Sequence, residues 1–141
     1  PHLAKKIDFL SVGTNDLIQY LLAVDRNNAR VADLYDSLHP AIIKVLMQIV
    51  EACKLEGKPV SICGEMASDP ASVIILMALG FDALSMNSVS LLRVKWIIRT
   101  LPYSKAKSLL REILEMNDPN RIRYHLEQAL ETAGLGGLIR A

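Results

Sequence analysis

Asn15 and Asp16 stand side by side in SVGTNDL, directly after the apolar run IDFLSV. An amide next to a carboxylate at that point has two readings. Both residue types cap helix N-termini well. Alternatively, free backbone N–H groups at a helix start bind anionic oxygens. A carboxylate beside them then holds a hard cation such as Mg2+, which usually takes one or two carboxylates plus phosphate oxygens. Arg26 lies in the loop sequence Asp25-Arg26-Asn27-Asn28. It either solvates that loop or, beside an anion site, clamps phosphate, because its planar fork matches phosphate oxygens. Cys63, in SICGE, ends another apolar run. A thiol there is a small buried hydrophobe, a nucleophile or a proton donor. A nucleophile needs a base, and no histidine is near it in sequence, although His39 can approach in space. Thiols are mostly protonated at neutral pH, which suits an acid.

The other reactive side chains have plainer readings. Glu65 binds a ligand or ties down its loop, and the structural role is preferred. His39, before Pro40, reads as a capping or packing residue, and His125 as a surface position. Cys53 reads as a buried small hydrophobe. Trp96 reads as core or interface, and Met66 as a packing residue that can also line the site.

These residues need elements to position them. Three apolar runs have the length of buried strands: Ile7–Val12, Pro59–Cys63 and Ala83–Met86. Each ends in small or polar residues, and none alternates cleanly, which predicts strands covered on both faces. A helix opens at His39-Pro40 and stops at Gly57, with Ile42, Ile43, Leu46, Ile49, Val50 and Cys53 at helical spacing. Asp69 caps a second, with Pro70 in its first turn and Gly80 past its end. Asn87 or Ser88 caps a third, VSLLRVKWIIRT. Strand, loop and helix repeated in this way predict a parallel α/β unit. Sites in such folds sit at the C-terminal strand ends. Asn15-Asp16, Cys63-Gly64-Glu65 and Asn87-Ser88 then converge if the strands are neighbours.

The first return helix waits until Pro40, so residues 13–39 form one long excursion with its own short helix, DLIQYLLAV. Long ordered loops of this kind are usually functional. Were that short helix the return helix, Arg26 would lie about 15 Å down it. Lying across the strand ends instead, it lets Arg26 reach back. Beyond residue 101 the sequence predicts two amphipathic helices, Tyr103–Met116 and Asn120–Ala133, around the break Asn117-Asp118-Pro119. GLGGL, residues 134–138, is expected to fray.

The bulk numbers narrow the function classes. A chain of 141 residues suits one domain or a piece of a larger one. With 51% hydrophobic residues and a mean hydropathy of +0.25, it can build a core. The net charge of +1 and interleaved charges argue against a nucleic-acid face. The longest apolar run, SVIILMALGF, is too short to span a bilayer. Two cysteines do not make a disulfide framework, and a cytoplasmic location follows. The chain begins with Pro1 and enters a strand almost at once, so it reads as a piece of a longer protein.

Four ordered blocks carry a resemblance: SVGTNDLIQYLLAVDR, LYDSLHPA, GKPVSICGEMASDP and GFDALSMNS. Across about residues 7–99 the sequence resembles the C-terminal domain of the phosphoenolpyruvate-utilising enzymes. The wording DRNNARVADLYDSLHP and KPVSICGEMASDP is most similar to phosphoenolpyruvate–protein phosphotransferases, the enzyme I group of the bacterial phosphotransferase system, in its nitrogen-related branch. Pyruvate phosphate dikinase and phosphoenolpyruvate synthase share the GTNDL-type loop. In the dikinases, however, the CGE block runs on to a histidine where Met66 stands here. The resemblance implies a (β/α)8 TIM barrel that binds phosphoenolpyruvate and Mg2+ at its C-terminal face. It implies transfer of the phosphoryl group to a histidine on a separate N-terminal domain, then to a histidine phosphocarrier protein, with release of pyruvate. On this likeness Asp16 is a metal ligand, Asn15 and Asp16 contact substrate, Arg26 binds the phosphate, and Cys63 protonates C3 of the enolate.

A full barrel takes about 250 residues. Residues 1–101 are therefore expected to be its last three βα units, and 102–141 a helical extension of the same domain. Phosphoryl transfer relies on positioning and charge neutralisation, so the fragment alone is expected to be inactive. A cut sheet exposes an edge, and a homodimer is expected. The alternatives are a pyruvate phosphate dikinase or phosphoenolpyruvate synthase-type enzyme, or a non-catalytic dimerisation module.

Overall fold

The apolar runs become β1 (Leu10–Gly13), β2 (Val60–Cys63) and β3 (Ala83–Ser85) in a computed structural model that describes residues 2–139. They form one parallel sheet in the order β1-β2-β3. Around it lie α1 (Thr14–Leu22), α2 (Pro40–Leu55), α3 (Pro70–Leu79), α4 (Ser88–Thr100), α5 (Tyr103–Leu114) and α6 (Pro119–Thr132). The chain is thus of the mixed α/β class expected from its pattern.

Helix boundaries follow the local chemistry. His39 Nδ1 accepts from the Ala41 N–H at 3.2 Å, and Pro40 opens α2. The Asp69 carboxylate accepts from the Ser72 N–H at 3.1 Å and from its hydroxyl, with Pro70 in the first turn of α3. Asn87 Oδ1 accepts from the Ser90 N–H at 2.9 Å at the start of α4. Each such cap contributes about 1 kcal/mol.

α3 forms the centre of the helical layer. Nine of its ten residues are buried, and it packs against α2, α4, α5 and α6. Leu109, Ile113, Ile122, Leu126 and Leu130 from α5 and α6 belong to the same core as Val12, Val60 and Ile62 of the sheet. Among the described residues no helix is long and apolar enough to cross a membrane.

Three expectations are corrected and one is narrowed. β1 begins at Leu10, not Ile7, because the ladder starts at the Leu10–Val60 pair and Ile7 has no strand opposite it. Residues Ala4–Lys6 form a 3-10 turn ahead of it. The described residues bury one sheet face, not two. Leu10, Val12, Val60, Ile62 and Leu84 join the core, whereas Ser11, Gly13, Ala83 and Ser85 are exposed. The C-terminal GLGGL does not fray. Leu135 is buried, its N–H reaches Leu130 O at 2.8 Å, and Gly136–Leu138 form a 3-10 turn. Of the two readings of Trp96, core or interface, the core one is excluded, since Trp96 is 63% exposed.

Candidate functional site

Register sets the floor of the site. Gly13 pairs with Cys63, and Cys63 with Ser85, so the three strands end level with one another. The fully buried Thr14 ties the first junction down, donating from Oγ1 to Cys63 O at 2.9 Å. Just beyond, Gly64 has φ +114° and ψ −177°. A side chain there would collide with Thr14 Oγ1. Glycine is required because two strand ends approach this closely.

The polar groups beyond these ends surround a cavity of about 370 Å³. Asn15, Cys63, Glu65, Ser68, Ser85 and Asn87 are among its lining residues. Cys63 is half-buried, with Sγ 3.5 Å from Val12 O. Asn15 and Asp16 do not cap α1. Gly13 is the N-cap residue, without a side-chain bond, and both polar residues lie inside the first turn. The Asn15 amide is turned across the sheet instead. Its Oδ1 accepts from the Glu65 N–H at 3.4 Å and from the Tyr35 hydroxyl at 3.3 Å.

Arg26 does reach back from the excursion. Its Nη1 lies 3.1 Å from Glu65 Oε1, and its backbone N–H donates to Gln19 Oε1 at 3.0 Å. Both partners of the ion pair are well exposed, so it contributes at most about 1 kcal/mol. An anionic ligand can take the guanidinium from Glu65 at little cost. Glu65 thus pairs with Arg26 and also lines the cavity. Asp16 is exposed on the first turn of α1 and does not line the cavity.

Tyr35 sits among these charges. Burial pushes its hydroxyl above the ordinary value of 10.0, and the Glu65 and Asp16 carboxylates push the same way against Arg26. It remains a donor at neutral pH. The site thus assembles Asn15 and Cys63 in one cavity, with Arg26 at Glu65 on its rim and Asp16 beside it. His39 serves as a cap and Met66 is buried in the core, while Met86 lines the cavity in its place. His125 pairs with Glu112 at 2.7 Å, away from the cavity residues. Sequence reading missed Tyr35, Thr14 and the steric need for Gly64. The available signal was a tyrosine late in the excursion, next to an aspartate in LYDSLHP.

Comparison with known proteins adds the family to this geometry. Residues 1–103 match the family described as PEP-utilising enzyme, PEP-binding domain, and the chain belongs to that family. Over 140 residues it is 49% identical to the "Phosphoenolpyruvate-dependent phosphotransferase system" protein of Escherichia coli K12. The corresponding Salmonella typhimurium LT2 protein is 50% identical over 140 residues. The phosphoenolpyruvate-protein phosphotransferase of Bacillus subtilis 168 is 44% identical over 119 residues. These matches cover 99%, 99% and 84% of this chain but 19%, 19% and 21% of the relatives. The chain spans about a fifth of the length of the curated relatives it matches.

Proposed function

We propose that this chain is the phosphoenolpyruvate-binding part of a phosphoenolpyruvate–protein phosphotransferase. The observation that carries this reading is the shared cavity of Asn15 and Cys63, with Arg26 drawn to its rim through Glu65. The Arg26 guanidinium binds the phosphate, the Asn15 amide and Asp16 contact the substrate, and the Cys63 thiol faces the enol carbon. The phosphoryl group leaves for a histidine on an N-terminal domain of the whole protein, and from there for a histidine phosphocarrier protein. The enolate left behind takes its C3 proton from Cys63 and becomes pyruvate, and solvent reprotonates the thiolate.

Mg2+ fits one flank of this site. Asp16 presents an exposed carboxylate beside Asn15, and phosphate oxygens of the substrate complete such a shell. Among the described residues no group of three or more His, Cys, Asp or Glu side chains gathers; the family resemblance puts the other metal carboxylate upstream in the parent protein. When bound, the ion neutralises charge on the phosphoryl group.

The uncovered sheet face supports the barrel reading. Ser11, Ser61, Ala83 and Ser85 are small, and Ser11, Ala83 and Ser85 are exposed. Residues 1–101 are the last three βα units of a (β/α)8 barrel whose other strands enclose that face. Residues 102–141 extend the same domain, and the fragment alone is inactive. The parent is cytoplasmic and dimeric. The test is pyruvate release from phosphoenolpyruvate by the full-length protein. Cys63→Ala and Arg26→Ala are each expected to lower it at least about a hundredfold. No release, or release unchanged in both variants, overturns the reading.

A further inference from the structure

The Asn15 side chain can face its neighbours in two ways, with oxygen or with NH2 toward β2. The Glu65 backbone N–H is a donor only, so the atom opposite it must be the carbonyl oxygen. The Tyr35 hydroxyl donates to the same oxygen, at 3.3 Å. With two donors on that oxygen, the amide cannot flip without leaving the Glu65 N–H without its acceptor. The NH2 group is consequently presented away from Glu65 and Tyr35, as a fixed donor at the edge of the cavity that Asn15 lines.

Resting on the function proposed above, we infer that Tyr35 is a positioning residue: through Asn15 it pre-orients the amide donor that receives the anionic substrate. Tyr35 itself is not among the residues that line the cavity. Its ring comes from the excursion near residues 32–34, and its hydroxyl reaches the first turn of α1. The excursion therefore has a purpose beyond delivering Arg26. It carries the group that sets the rotamer of Asn15.

The experiment is a double-mutant cycle in the full-length protein, with Tyr35→Phe, Asn15→Ala and the pair, assayed by pyruvate release. Loss of one orienting hydrogen bond is expected to lower kcat/KM about five- to tenfold. The change should fall in KM, because the donor acts on bound substrate and transition state alike. Asn15→Ala should lower kcat/KM further, and adding Tyr35→Phe to it should change nothing more. A purely structural tyrosine would instead lower the melting temperature and the active fraction, leaving KM unmoved. Turnover by the natural protein with Tyr35→Phe unaffected, or with multiplicative effects of the two substitutions, overturns this inference alone. A natural protein that releases no pyruvate overturns the proposed function and this inference together.

Discussion

Replacing Gly64 by alanine tests the closest backbone approach in the site. Gly64 holds φ +114° with ψ −177°, a region that is essentially glycine-only. Holding alanine there costs about 1–3 kcal/mol. The added methyl also meets Thr14 Oγ1 and lies 3.1 Å from Asn15 Oδ1. Thr14 is fully buried and committed to Cys63 O at 2.9 Å, so it cannot swing away without giving up a bond of about 1 kcal/mol. The expected loss is about 2–4 kcal/mol, large beside a typical folding stability of about 5–15 kcal/mol. Urea unfolding measures it directly. Repeating the substitution in a Thr14→Ala background separates the two causes, because backbone strain persists while the collision disappears. The cost of Gly64→Ala should shrink there by about 1 kcal/mol. A Gly64→Ala protein within about 0.5 kcal/mol of the parent refutes the strain reasoning. An equal cost in both backgrounds refutes the collision.

Two further outcomes follow from single groups. Asp69→Ala removes the acceptor for the Ser72 N–H and hydroxyl and the partner of Arg123, which lies 3.2 Å away. Ser72 is fully buried, so about 2–3 kcal/mol should be lost in urea unfolding, whereas Arg123→Ala should cost at most about 1 kcal/mol. Tyr35 holds its proton more tightly folded than unfolded, so its contribution is complete below pH 10.0 and fades as pH rises beyond it. Stability of Tyr35→Phe should fall less steeply above that pH, and an absorbance titration of tyrosinate should show the late-ionising group missing. Identical alkaline slopes would count against the raised value.

Much of this protein was written locally. Asp69-Pro70, Asn87 and His39-Pro40 start helices by side-chain chemistry that needs only the next three residues, and Gly57 and Gly80 end them by left-handed backbone. The four motif blocks likewise carried the family, because close backbone approach and polar strand ends demand particular residues in order. Chain order alone could not say that Arg26 would meet Glu65, that Tyr35 would seize the Asn15 carbonyl, or that Thr14 would bond Cys63 O. Those pairs are 39, 20 and 49 residues apart, and strand register and the path of the excursion bring them together. The same holds for the sheet face and the C-terminal tail. Apolar pattern shows which residues avoid water, but only packing shows what covers them: α2, α4, α5 and α6 pack around α3, and Leu135 docks where composition suggested a loose end.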